Sequence, residues 1–166
     1  MALKKAPTPV VPLDINEVIE EVVGLTHHEV QQHGVQLHTE LAANLPHISG
    51  DRVQIQQVLL NLLMNSIEAM STVMNRPRQL LICSGRAGSD NILVAVQDSG
   101  IGLDSQTLER MFDAFYTTKS TGMGMGLSIS RTIIKAHGGQ LWAEPSSGHG
   151  ATFQFILPNT GENQHD

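Results

Sequence analysis

The sequence predicts an α+β fold, a two-layer sandwich in which a mixed sheet of about five strands is covered on one face by three main helices. Two observations predict it. Apolar residues recur at helical spacing in three long segments and alternate at strand spacing in several short ones. The segments also run in the order helix, strand, helix, two strands, helix, two strands, which suits one sheet with its helices on a single side.

The elements follow in order along the chain. Residues 1–12 carry Pro7, Pro9 and Pro12 without a helical period and read as a linker. Asp14, a good N-cap, opens a first helix with Ile15, Val18, Ile19, Val22, Val23 and Leu25 at helical spacing. Gly34 stops that helix, and residues 35–41 alternate as a strand. Residues 44–50 read as a connection. Asp51 then caps a second helix running to about Met70, apolar at Val53, Ile55, Val58, Leu59, Leu62, Leu63 and Ile67. Residues 80–83 and 92–96 are short apolar runs separated by Gly85, Gly88, Ser89 and Asp90, which predicts a hairpin. Residues 105–110 suit a short helix, 111–126 a loop, and 127–136 a third main helix ending at His137-Gly138-Gly139. Residues 140–144 and 152–157 form the last two strands, joined by a turn containing Gly148 and Gly150. The domain therefore spans 13–158, and 159–166 is a polar tail.

Composition narrows the function. A chain of 166 residues is one domain by size. A formal net charge of −6, with 10 scattered basic residues, argues against nucleic-acid binding, which depends on clustered Lys and Arg. No apolar run is long enough to cross a bilayer, and the N-terminus has no signal-peptide core. The expectation is a soluble, cytoplasmic domain without membrane contact of its own, from a parent either soluble or membrane-anchored. One cysteine, Cys83, excludes an internal disulfide and a cysteine zinc site.

Three features carry chemistry. On the second helix Asn61 and Asn65 stand four residues apart and share a face, either as part of a solvated stripe with Gln54, Gln57 and Glu68 or as ligand-binding amides. Asp98-Ser-Gly-Ile-Gly102 directly follows an apolar strand; it is either an ordinary turn or a carboxylate placed to accept from an exocyclic amine, with glycines that admit a ligand close to the backbone. Gly122-Met-Gly-Met-Gly126 leads into a helix, where free N–H groups suit phosphate; a flexible surface loop has the same composition. Its spacing matches neither the G-x-G-x-x-G dinucleotide fingerprint nor a Walker loop, which ends in Gly-Lys-Ser/Thr. His27-His-Glu-Val-Gln-Gln-His33 imitates a zinc-protease motif, but His28 and His33 are five apart and fall on different helix faces.

Asn61 to Ala69, Asp98 to Gly102, Phe112 to Lys119, Gly122 to Ser128 and Gly148 to Phe153, in that order over residues 13–158, resemble the motifs of the catalytic ATP-binding domain of sensor histidine kinases. That family lies within the superfamily of gyrase-type, heat-shock-chaperone and mismatch-repair ATPases, whose ATP-binding fold is the Bergerat type. Phe115-Tyr-Thr-Thr-Lys119 and the Gly-Met-Gly-Met-Gly-Leu-Ser run are most similar in style to nitrogen-regulation and oxygen-sensing kinases of two-component systems. The resemblance implies ATP and Mg²⁺ as cofactors. It implies Asp98 on the adenine amino group, Gly100 and Gly102 lining the base pocket, Asn65 on Mg²⁺, and Asn61 beside it near the phosphates. Lys119 would approach the phosphates from a lid. Gly122, Gly124 and Gly126 would wrap the triphosphate with the helix start at Leu127, Phe112 and Phe115 would anchor the lid, and Gly148, Gly150 and Thr152 would back the pocket. In hydrolytic relatives a glutamate occupies the position of Asn61 and activates water; an amide cannot. The resemblance thus implies slow ATP hydrolysis and transfer to a histidine on a separate dimerisation domain, with onward transfer to a response-regulator aspartate. An isolated domain without the dimerising helices is expected to be monomeric. The alternatives are a nucleotide-binding docking module without kinase activity and an anti-sigma-type serine kinase.

Overall fold

The computed structural model describes residues 10–113, 126–146 and 148–160. Strand β1 (Val10–Leu13) pairs antiparallel with β3 (Ile48–Asp51) in a small ribbon. Neither strand was expected: residues 10–12 read as linker, and 44–50 as connection. Both are four residues long and carry Pro12 or Ser49-Gly50 in place of an alternating apolar pattern, so no period marks them. Proline is tolerated in an edge strand of this kind.

Helix α1 (Ile15–Leu25) is capped by the Asp14 carboxylate, which accepts from the Asn16 N–H at 3.0 Å. Thr26 ends it; its buried hydroxyl donates to the Val22 carbonyl at 3.0 Å, and a separate short helix α2 (His27–Gln32) follows instead of the single helix expected. Strand β2 (Val35–Leu41) lies parallel to β4 (Arg78–Ala87), and between them runs α3 (Arg52–Ala69), capped by Asp51, which accepts from the Gln54 N–H at 3.1 Å. The hairpin of β4 with β5 (Asn91–Asp98) is longer at both ends than its apolar runs. Helices α4 (Ser105–Arg110) and α5 (Gly126–Ala136) precede the antiparallel pair β6 (Gln140–Pro145) and β7 (Ala151–Pro158). The main sheet is the mixed, five-stranded one that the sequence predicts; its strands run β2-β4-β5-β7-β6, and only the β2–β4 pair is parallel.

Strand alternation sends one set of side chains to the helices. Leu80 and Ile82 of β4, Ile92, Val94 and Val96 of β5, and Phe153, Phe155 and Leu157 of β7 are buried against Ile15, Val18, Ile19 and Val22 of α1 and Ile55, Val58, Leu59 and Leu62 of α3. Each such side chain contributes roughly 1.5–3 kcal/mol by leaving water. The opposite face carries Gln97, Thr152 and Gln154 and remains open. Two polar ties hold α3 against α5, the pair that frames the site. At one end His137 Nε2 accepts from the Asp51 N–H at 3.1 Å, which leaves the ring proton on Nδ1 to be donated to the Ile133 carbonyl at 2.8 Å. The other tie is made by Asn61.

Candidate functional site

Helix α3 delivers both asparagines to the side nearest α5. Asn61 is buried, and its amide donates to the Gly126 carbonyl at 3.2 Å and to Ser130 Oγ at 3.1 Å. These bonds tie the first turn of α5 to α3, so Asn61 positions a helix start as well as presenting its amide oxygen. Asn65, one turn on, is half-buried, with no hydrogen bond to its side chain among the described residues. Leu127 is buried beside Gly126 in the same first turn.

Asp98 ends β5 and is only 2% exposed. Its Oδ1 accepts from the Gly100 N–H at 2.9 Å and from the Ala151 N–H at 3.3 Å. Among the described residues its Oδ2 is buried with no hydrogen-bond partner, and so is the Ser66 hydroxyl on α3. Burial pushes the Asp98 carboxyl above the usual carboxylate range; the Gly100 and Ala151 N–H groups, and then the Ser66 hydroxyl, oppose that rise. The hydroxyl bears on the carboxyl from close by, yet the two form no hydrogen bond of normal length and geometry. A buried acceptor left over in an otherwise well-bonded turn marks a place for a donor from outside the chain.

The turn around Asp98 is held tightly. A side chain at Gly100 would meet the Ala69 carbonyl oxygen at 2.7 Å, and one at Gly150, whose φ is +86°, would meet the Asp98 carbonyl oxygen at 2.0 Å. Both positions therefore require glycine. Arg76 donates to the Ser99 and Gly100 carbonyls at 3.2 and 2.8 Å, and the Ser99 hydroxyl accepts from the Gln79 N–H at 2.9 Å. Gly102 and Gly148 are exposed with open space around them. Phe112 is buried edge-to-face on Phe153, centroids 6.1 Å apart, with the Arg131 guanidinium 4.0 Å above its ring. Arg131 also donates to Glu109 at 2.8 Å and to the Leu141 carbonyl, joining α4, α5 and β6.

The structure thus brings Asn61, Asn65, Asp98, Gly100, Gly126, Leu127 and Gly150 around the α3–β5–α5 side of the sheet. It does not bring Thr152 there. Alternation along β7 turns Thr152 to the open face, where its hydroxyl bonds Ser146 Oγ at 2.8 Å, and Ala151 faces Asp98 instead. Phe115, Lys119, Gly122 and Gly124 lie outside the described residues. A cavity of about 600 Å³ opens among His38, Glu40, Leu81, Gln97 and His149, and its lining also takes in Leu80, Asp98, Ser99 and Gly148. Neither asparagine lines it. Sequence reasoning missed Ser66, Ser130 and Arg76. A signal existed for Ser66, a polar residue at an inward position of α3 between the buried Leu62, Leu63 and Ile67.

The model of the family described as "Histidine kinase-, DNA gyrase B-, and HSP90-like ATPase" matches residues 50–161. The chain belongs to that family of ATPases, and within it to the catalytic domains of sensor histidine kinases. It is 44% identical over 149 residues to sensor protein FixL of Bradyrhizobium diazoefficiens, covering 90% of this chain and 29% of that protein. It is 40% identical over 157 residues to sensor histidine kinase TmoS of Ectopseudomonas mendocina, covering 94% of this chain and 16% of that one. The chain therefore spans less than a third of the length of these relatives. The solved catalytic domain of histidine kinase ThkA superposes with a TM-score of 0.80 at 33% identity, covering 92% of this chain and 97% of that one. ThkA has also been solved in complex with response regulator protein TrrA, where the likeness has a TM-score of 0.77 at 31% identity and covers 92% of this chain and 42% of that one. Among the described residues no helix is long and apolar enough to cross a membrane.

Proposed function

We propose that this domain binds ATP with Mg²⁺ and presents the γ-phosphoryl group to a histidine on a separate helical dimerisation domain, from which it passes to an aspartate of a response regulator. The observation that carries this reading is Asn61. The amide at this position has its N–H groups bonded to Gly126 and Ser130, so it offers no base to take a proton from water. An acceptor that brings its own nucleophile, such as an imidazole, suits this geometry better than water does.

The binding roles follow from the same residues. The unpartnered Asp98 Oδ2 suits the exocyclic amine of adenine. Asn65, with its side chain unbonded among the described residues, suits Mg²⁺ through its amide oxygen, which adds no charge to a site where the triphosphate already supplies it. When bound, Mg²⁺ neutralises charge developing on the phosphates. The start of α5, tied down by Asn61, presents the positive end of its dipole to anionic oxygens. Gly100, Gly102, Gly148 and Gly150 belong to the walls of the base pocket, Phe112 anchors the segment leading out of α4, and Lys119, Phe115, Gly122, Gly124 and Gly126 belong to the phosphate side. Assignment of this domain to a two-component phosphorelay draws support from its likeness to FixL and TmoS, and a response regulator as downstream partner from the ThkA–TrrA complex.

A calorimetric ATP titration with and without Mg²⁺ tests the binding half. Binding that needs Mg²⁺, is abolished by Asp98→Asn and loses its Mg²⁺ dependence in Asn65→Ala is expected. Unchanged affinity in Asp98→Asn would remove the base-pocket assignment.

A further inference from the structure

Two arginines close the connection between α3 and β4, and they bond in different ways. Arg78 uses every nitrogen: Nε donates to the Val73 carbonyl at 3.0 Å, Nη1 to the His33 carbonyl at 2.7 Å and Nη2 to the Ser71 carbonyl at 3.1 Å. Its work is to staple that connection to the start of β2. Arg76 instead puts one nitrogen, Nη2, on two carbonyls, Ser99 at 3.2 Å and Gly100 at 2.8 Å. Its Nε is buried with no hydrogen-bond partner among the described residues. An unsatisfied buried donor costs stability, so Arg76 sits where the two carbonyls hold it and not where its own donors are best met.

The Ser99–Gly100 peptide links that guanidinium to Asp98. Its carbonyl accepts from Arg76 Nη2, and its N–H donates to Asp98 Oδ1 at 2.9 Å. The following carbonyl, of Gly100, takes the second Arg76 bond, and the Ile101 N–H reaches the Ala69 carbonyl at 3.4 Å. A cationic donor on the carbonyl side fixes the plane of the peptide and polarises its N–H, which makes that N–H a stronger donor to the carboxylate. The other donor to Oδ1, the Ala151 N–H, is longer at 3.3 Å. Among the described residues no other group bonds the Ser99 or Gly100 carbonyl.

Resting on the assignment of Asp98 Oδ2 to the amine of the base, we propose that Arg76 is a positioning residue that sets the purine selectivity of the pocket. By gripping the Ser99–Gly100 peptide it holds Asp98 with Oδ1 bonded inside the chain and Oδ2 left for the ligand. A 6-amino purine gives that oxygen a donor, whereas a 6-oxo purine sets a carbonyl against it. Discrimination between the two depends on a carboxylate that cannot turn away from the carbonyl. Loss of Arg76 therefore weakens ATP more than it weakens inosine triphosphate, ITP, which carries the same triphosphate on a 6-oxo base.

The test is titration calorimetry on the 166-residue chain with Mg²⁺ and ATP, and with ITP read by its displacement of ATP, for the unaltered protein, Arg76→Met and Arg76→Lys. Folding is checked by circular dichroism. Methionine keeps an apolar stem without donors, and lysine keeps a cationic donor able to serve both carbonyls as Nη2 does. Arg76→Met is expected to weaken ATP by about five-fold and ITP by less than about two-fold. Arg76→Lys is expected to keep most of the preference for ATP. Should the methionine variant not fold, Arg76→Gln, with a single neutral donor group, takes its place under the same expectations. Unchanged ATP affinity in the donor-poor variant overturns the proposal. So does an equal loss for ATP and ITP, the mark of a pocket that has merely loosened, and so does a folded lysine variant that has lost the preference. ATP bound as tightly by Asp98→Asn as by the unaltered protein would instead overturn the base-pocket reading on which the proposal rests.

Discussion

Asp98→Asn should make the domain more stable while destroying its nucleotide site. The asparagine Oδ1 can still accept from the Gly100 and Ala151 N–H groups at 2.9 and 3.3 Å. Its Nδ2 replaces the unpartnered Oδ2 and can donate to the Ser66 hydroxyl, so two orphaned buried atoms satisfy each other. Gaining one such bond and removing a buried charge, less the weaker hold on the two N–H groups, is worth about 1 kcal/mol. For a chain of this length that raises Tm by about 2–4 °C. The pH dependence has a definite sign. Burial raises the Asp98 carboxyl, so folding favours its protonated form; this contribution is fully present below the unfolded value and is lost as pH rises through the raised folded value. The gain from Asp98→Asn should therefore be largest at neutral pH and shrink in acid. Against the nucleotide, an amide N–H in place of Oδ2 meets the amine donor with another donor, and affinity should fall about 100-fold or more. Thermal melts followed by circular dichroism without nucleotide, together with ATP calorimetry, measure both. A lower Tm with ATP affinity retained would refute the reasoning.

Gly150→Ala places a methyl group 2.0 Å from the Asp98 carbonyl oxygen at a φ of +86°; it should cost roughly 2 kcal/mol or more in a denaturant melt and weaken ATP by displacing the turn behind Asp98. Asn61→Asp removes the donors to Gly126 and Ser130 and sets a carboxylate against the Gly126 carbonyl. It should lower Tm by loosening the start of α5, and a phosphate-release assay should show no efficient hydrolysis from the new carboxylate. Arg52 joins Glu17 and Glu21 of α1 to α3 at 2.6 Å each, and holds the Glu21 carboxyl below its usual range. These side chains are about a third or more exposed, so Arg52→Gln should cost about 0.5 kcal/mol after solvent screening. That loss should fade in high salt and as pH falls through the lowered Glu21 value, where the ion pair is already lost.

Much of this fold was legible because its helices and main strands carry clean periods. Asp14 and Asp51 announce helix starts, and Ile55, Val58, Leu59 and Leu62 mark the buried face of α3. The ribbon of β1 and β3 was not legible, because four-residue strands containing Pro12 or Gly50 are set by pairing with each other and not by local pattern. Thr26 hid the break between α1 and α2, since a threonine that bonds back to Val22 looks in sequence like any helical residue. At the site, residue types and order pointed to Asn61, Asn65 and Asp98, but not to how they are held. That Asn61 ties down α5, that Ala151 and not Thr152 faces Asp98, and that Ser66 is buried opposite it all depend on contacts between distant elements. Thr152 shows the limit most plainly, because a shift of one residue along a strand reverses the face.

The most direct test of the central claim is transfer of label from γ-labelled ATP, with Mg²⁺, to a helical dimerisation domain bearing a histidine, beside a control in which the catalytic domain is alone. The account predicts little phosphate release by the domain alone, and label on the added domain that is lost in acid, as expected for phosphohistidine. Rapid hydrolysis by the domain alone with no transfer, or acid-stable label, would contradict it.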